Sequence, residues 1–148
     1  LWMPLVNASA WSLTSPESDP YGVFLMDHTR CQNNAVGQEY GGIEVSTQSC
    51  NHITLQQVIE VDIRVGEPLE LVMWHSSLIS NEATEAVISL RTTEHELWSK
   101  TIPIPSPAQS WTDQFPSPIS ISSGTILFFH IRNHGANSYI FHHLSINR

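Results

Sequence analysis

The stretch QVIEVDIRV, residues 57–65, sets Ile59, Val61, Ile63 and Val65 on one face of an extended chain and Glu60, Asp62 and Arg64 on the other. A period of two buries one face only in a β-strand, because successive side chains of an extended backbone point to opposite sides. The same rhythm returns in LELVMWHSSL (69–78), which opposes Leu69, Leu71, Met73 and His75 to Glu70, Val72 and Trp74. Large groups on both faces near its end predict a central strand covered on both sides there. TEAVISLRTT (84–93) and LWSKTIPI (97–104) form a further pair joined by the polar EHE. The three prolines of IPIPSP each remove a ladder donor, so that segment is an edge strand or a polyproline-like crossover. AQSWTDQFPSP reads as a loop, ISIS as a short strand, and GVFLMD and GIEVST as short strands flanking a cysteine loop. Only residues 80–87 carry a faint helical pattern.

Eight to ten such strands, separated by Gly, Pro, Ser and Asn turns, predict an all-β fold. The expected architecture is a single domain, residues 1–148, built as a two-sheet antiparallel β-sandwich of jelly-roll type. An immunoglobulin-like sandwich needs widely spaced cysteines around a tryptophan. Cys31 and Cys50 stand too close together for that and fit no zinc or redox spacing. In an oxidising compartment they would close one disulfide-pinned loop; the alternative is a pair of buried thiols.

Charge narrows the partners. A single lysine, Lys100, and five arginines stand against 14 acidic residues, for a net charge of −8. Nucleic acid and anionic membrane surfaces need clustered cations to neutralise phosphates, so neither is an expected partner. An acidic surface suits a neutral ligand, a cation or an extracellular setting. No apolar run approaches the length of a membrane span, so no membrane insertion is expected. LWMPLVNASA, residues 1–10, lacks a basic start, and its apolar run is short and holds Pro4. It reads as part of a mature exported protein rather than an intact signal peptide. Asn7-Ala8-Ser9 forms a glycosylation triplet, meaningful only in a eukaryotic secretory route.

The C-terminal stretch TILFFHIRNHGANSYIFHHLSI, residues 125–146, concentrates histidines and large rings. Two strands flanking NHGAN predict a hairpin, with Gly135 and the asparagines tolerating positive φ in its turn. Strict alternation then puts Leu127, Phe129, Ile131, Ile140, His142, Leu144 and Ile146 on the core side. The opposite face would hold Phe128, His130, Arg132, Tyr139, Phe141 and His143. Rings beside a guanidinium and imidazoles suit a sugar, whose C–H faces stack while its hydroxyls bond polar tips. The candidate ligand set is therefore Trp74, Phe128, His130, Arg132, Asn137, Tyr139, Phe141 and His143. Two other readings stay open: the face is covered by the chain's own LWMPLV segment, or it joins two subunits.

Metal and catalytic chemistry have thinner support. His75, His130 and His143 could in principle converge, but no zinc signature places them together. A calcium ion would fit the acidic turn of Glu17 and Asp19 with Asp27 nearby; the alternative is an acidic turn in water. No nucleophile elbow, phosphate loop or dinucleotide fingerprint is present, and Glu82 and Glu85 lie in a polar loop, so an enzyme is not expected.

Gly124-Thr125, a strand, then Asn133, Gly135, Asn137 and Tyr139 leading into a last strand resembles the ending of carbohydrate-binding-module jelly rolls of secreted proteins. The resemblance covers about two dozen residues and implies a class without a sugar specificity. It implies a secreted, non-catalytic module whose partner is a glycan, bound on a sheet face or at a loop edge, often with calcium. The rival expectation is a structural subunit of an extracellular filament, adhesin or coat that packs against copies of itself.

Overall fold

The computed structural model describes residues 1–21 and 29–148. Among these, eleven strands run in chain order: β1 Trp2–Pro4, β2 Ser12–Leu13, β3 Val36–Glu39, β4 Gly42–Ser46, β5 His52–Ile59, β6 Pro68–His75, β7 Thr84–Arg91, β8 Glu96–Ile104, β9 Gln109–Pro116, β10 Thr125–Arg132 and β11 Ser138–Asn147. They make a two-sheet antiparallel β-sandwich. One sheet has six strands in the order β3-β4-β11-β6-β9 with β1 beside β11, and the other has the order β2-β5-β10-β7-β8. The described residues hold no helix long and apolar enough to cross a membrane. The GVFLMD segment lies outside the described residues.

Alternation places the core between the sheets. Ile53, Leu55 and Ile59 of β5, Leu127, Phe129 and Ile131 of β10, and Ala86, Ile88 and Leu90 of β7 point inward from the five-stranded sheet. Ile43, Val45, Leu69, Leu71, Met73, Leu144 and Ile146 meet them from the six-stranded sheet. Phe129 and Phe141 touch edge to face across the interface, centroids 4.7 Å apart, and Trp11 closes over Phe141 at 5.4 Å. Of the two placements that the prolines allow, the structure takes the edge: β8 is an edge strand. β6 is central, flanked by β11 and β9, but it is not covered on both sides as expected: the core covers its Leu69, Leu71 and Met73 side, and no other layer packs on its Trp74 side among the described residues.

Three sequence expectations fail locally. The first strand occupies His52–Ile59 rather than 57–65; beyond it Ile63 makes only an isolated bridge to Ile121, and Val65 is exposed. AQSWTDQFPSP is no loop, since most of it forms β9 along β6. Its alternation is masked because an inward position holds a charge, Asp113, which is satisfied by Trp98 Nε1 at 3.0 Å and Lys100 Nζ at 3.4 Å. Residues 84–87, read as faintly helical, belong to β7.

A further correction matters most. β10 and β11 are not a hairpin: they lie in different sheets, and NHGAN carries the chain from one layer to the other. A register shift between Phe141 and His143 then breaks the alternation of β11. A bulge of this kind reverses which side chains face the core. Tyr139 and Phe141 therefore point inward, as do Leu144 and Ile146 beyond the bulge, and strict counting cannot assign both pairs to one side. Gly42 passes the bulge so closely that a methyl group there would meet the Phe141 carbonyl oxygen and lie 2.9 Å from Ile140 Cγ2.

The crossing is held by a buried polar cluster. Asn133 Nδ2 donates to Thr47 Oγ1 at 2.7 Å and to the Gly135 carbonyl at 2.8 Å. Asn137 Nδ2 donates to Asn133 Oδ1 at 3.1 Å and the His134 carbonyl at 2.9 Å, while Asn137 Oδ1 accepts from the Ile79 amide at 2.8 Å. Thr47 Oγ1 also accepts from the Asn137 amide at 3.0 Å, and the Tyr139 hydroxyl donates to Asn133 Oδ1. Gly135 sits at φ 87°, where an added methyl group would collide with the Ile79 carbonyl.

Cys31 and Cys50 are joined, with Cα atoms 5.0 Å apart, and Cys31 is fully buried where its amide donates to the His52 carbonyl. Replacing both cysteines with alanine is expected to cost about 3 kcal/mol by urea unfolding, from the freedom returned to the unfolded loop. Gly135→Ala is expected to cost about 2–4 kcal/mol in the same assay, combining a left-handed φ with displacement of the 79–80 backbone.

Candidate functional site

The two sheets present very different outer faces. On the five-stranded sheet, Phe128, His130 and Arg132 project outward from β10, beside Thr54 of β5 and Ser89 and Arg91 of β7. This face is covered by the chain itself, though not by LWMPLV. The Tyr21 ring stacks on the His130 imidazole at 3.8 Å, and its hydroxyl shares a 2.6 Å hydrogen bond with Ser89 Oγ. Arg91 lies over the same ring, 5.5 Å from its centroid. Asp19 holds this segment down: its carboxylate pairs with Arg30 at 3.1 Å and accepts from the Tyr21 amide at 2.9 Å. Of the acidic turn considered for calcium, Asp19 is thus engaged by Arg30, Glu17 is exposed, and Asp27 lies outside the described residues.

His130 is nearly inaccessible and shares a 2.7 Å hydrogen bond between its Nδ1 and Thr54 Oγ1. Burial, which disfavours the cation, pushes its pKa down to about 3, against an opposing pull from Asp19. The three histidines that could in principle converge stand apart. His75 points into the core side of β6, His130 lies under Tyr21, and His143 is exposed on the other sheet. Among the described residues no cluster of three His, Cys, Asp or Glu side chains is placed to hold a metal ion.

The expected six-residue face therefore dissolves into three environments. Phe128, His130 and Arg132 lie on the five-stranded sheet under or beside the covering segment, whereas Tyr139 and Phe141 are core. Asn137 is buried in the crossing network and holds the loop. Trp74 and His143 alone of the candidate set lie on the outward face of the six-stranded sheet.

That second face is open among the described residues. Ile140 on β11 pairs with Glu44 on one side and Trp74 on the other, and Trp74 pairs with Ser110. The four form a row across four strands, roughly 14 Å long at the usual interstrand spacing. A neighbouring row holds His143, Val72 and Thr112, and a third holds Glu70 and Gln114, joined at 2.8 Å. At one end, Glu39, Tyr40, Glu44, Trp74, Ile140 and His142 line a hollow of about 450 Å³. Tyr40 reaches it because Tyr40-Gly41 is a two-residue turn between β3 and β4 with both φ positive, 51° and 78°. Such a turn matches strand twist and leaves its first side chain at the tip; Tyr40 is 81% exposed.

Sequence reasoning missed Tyr40, Glu39 and Glu44, and it put Ile140 on the core side, whereas before the bulge Ile140 shares the outward side of Trp74. The signal available was EYGG beside an alternating run, a positive-φ hairpin turn with an aromatic at its crest. His142 was assigned to the core and instead lies at the bulge, lining this hollow. Chemically the hollow joins an apolar floor and rings to acceptor-rich walls, an arrangement for holding a polyhydroxylated ring by stacking and hydrogen bonds.

Sheet number, strand order and size define a two-sheet antiparallel β-sandwich, a fold that carbohydrate-binding modules also adopt. The chain is similar to a solved CBM4 carbohydrate-binding module at 12% identity and a TM-score of 0.55, covering 98% of this chain and 95% of that one. It is also similar to the N-terminal cellulose-binding domain of Cellulomonas fimi β-1,4-glucanase C, at 10% identity and a TM-score of 0.50, over 80% of this chain and 84% of that one. A further likeness is to the enzymatically active domain of bacteriophage CBA120 tailspike protein 4, at 14% identity and a TM-score of 0.51; it takes in 95% of this chain and 20% of that one. At these identities the likeness is one of fold. No family model and no curated protein matches the sequence.

The buried His130 makes stability depend on pH. The unfolded imidazole titrates near its ordinary 6.5 while the folded one stays neutral to about 3. Between these values only the unfolded state gains a proton, so this contribution is complete above pH 6.5 and is lost as pH falls. The expected loss is about 2 kcal/mol by pH 5. Urea unfolding at pH 7 and pH 5 checks it: His130→Gln should shrink the difference by that amount, and an unchanged difference would contradict the assignment.

Proposed function

We propose that this protein is a non-catalytic glycan-binding module that takes a sugar chain along the outward face of the six-stranded sheet. The carrying observation is the hollow of Trp74, Tyr40 and Ile140, walled by Glu39, Glu44 and His142 on a face that no described element covers. Trp74 is the stacking platform, half-buried at the centre of the row and held on a central strand. Tyr40 closes one end, and Ser110, Thr112, Gln114 and His143 offer hydrogen bonds along the rest. The fold shared with carbohydrate-binding modules supports this reading. A secreted setting is supported by the disulfide and by an acidic, lysine-poor surface.

Calorimetric titration with soluble β-linked oligosaccharides tests the reading. Wild-type protein is expected to bind at least one, and Trp74→Ala to weaken that binding at least tenfold, as loss of one stacking platform implies. The variant should keep its thermal midpoint within a few degrees, because Trp74 faces outward. A variant that binds as tightly as wild type, or a protein that binds no sugar, would overturn the proposal.

A further inference from the structure

We infer that the glycan held on the six-stranded face is cationic: a β-linked chain of non-acetylated amino sugar, with free ammonium groups along its length. This rests on the glycan-binding reading above and adds the charge of the ligand. None of the six strands of this sheet contains a lysine or an arginine, whereas β7, β8 and β10 of the other sheet carry Arg91, Lys100 and Arg132. The open face instead carries Glu39, Glu44 and Glu70. The ion pairs of the described residues are Arg30–Asp19, Lys100–Asp113 and Arg148–Glu67, so none neutralises these three carboxylates.

The placement is specific to the hollow. Glu44 and Trp74 flank Ile140 in one row, and Glu39 and Glu44 both line the hollow that Tyr40 and Trp74 enclose. A pyranose stacked on Trp74 keeps its ring substituents within reach of Glu44. An ammonium group there donates to a carboxylate and lies beside aromatic rings that also attract cations. A uronate or sulfated chain would meet like charge from Glu39, Glu44 and Glu70. A neutral chain gains the stacking alone, with hydroxyl bonds. Because the carboxylates are partly solvated, each charge contact is worth a modest factor and is screened by salt.

Competition between isosteric chains tests this. A glucosamine hexamer, its N-acetylated counterpart, a cellulose-type hexamer and a polyuronate fragment are titrated in near-neutral, low-salt buffer. The glucosamine chain is expected to bind about five- to tenfold tighter than the neutral hexamers, with no measurable binding of the polyuronate. High salt should bring the affinity ratio close to one. The double variant Glu39→Gln with Glu44→Gln should do the same in low salt, with its folding checked by thermal unfolding. Equal or tighter binding of a neutral chain, or an affinity ratio unmoved by the double variant, overturns the inference while leaving the glycan reading intact. Absence of binding by every chain removes the glycan reading and this inference together.

Discussion

The sandwich depends on one buried polar junction. A chain that passes from one sheet to the other must turn its backbone inside the protein, where unpaired amides and carbonyls are costly. Thr47, Asn133 and Asn137 satisfy that turn with side chains instead of strand partners. Thr47 arrives from the end of β4 and the Ile79 backbone from beyond β6, so the junction ties the crossing loop to two other connections at the same end of the sandwich. It also sets where β11 enters its sheet, and therefore which side chains of β11 face the core.

From that entry point the two faces acquire separate roles. β10 delivers His130 to a surface that the chain then seals with Tyr21, held by the Asp19–Arg30 pair. β11 delivers Phe141 to the core, and its bulge brings His142 beside the hollow. One sheet therefore carries the cationic side chains and a covered surface, the other an open, acidic surface around Trp74. The asymmetry follows from which strands bear charge, and strand order then gathers those strands into one layer.

Much of the fold was legible in the sequence. Alternation identified β6 and its two faces, the segments of β7 and β8 read as a pair, proline kept the end of β8 out of a sheet interior, and the cysteine spacing marked one closed loop. These are local properties: each follows from the period of an extended chain or the chemistry of a single residue. The motif of Asn133, Gly135 and Asn137 was equally visible, but its work was misjudged. Its side chains bind the chain's own backbone, which residue type cannot distinguish from binding a ligand.

The sequence by itself determined the class of structure, an antiparallel sandwich, and set Trp74 opposite Leu69, Leu71 and Met73 on a central strand. Only the tertiary structure decided that the last two strands belong to different sheets, that a bulge turns Tyr139 and Phe141 inward, and that Tyr40, Glu39 and Glu44 meet Trp74. The physical reason is range. A period of two records which side of its own strand a residue occupies. Strand pairing across long loops, and the register lost at one bulge, decide which residues of different strands share a face.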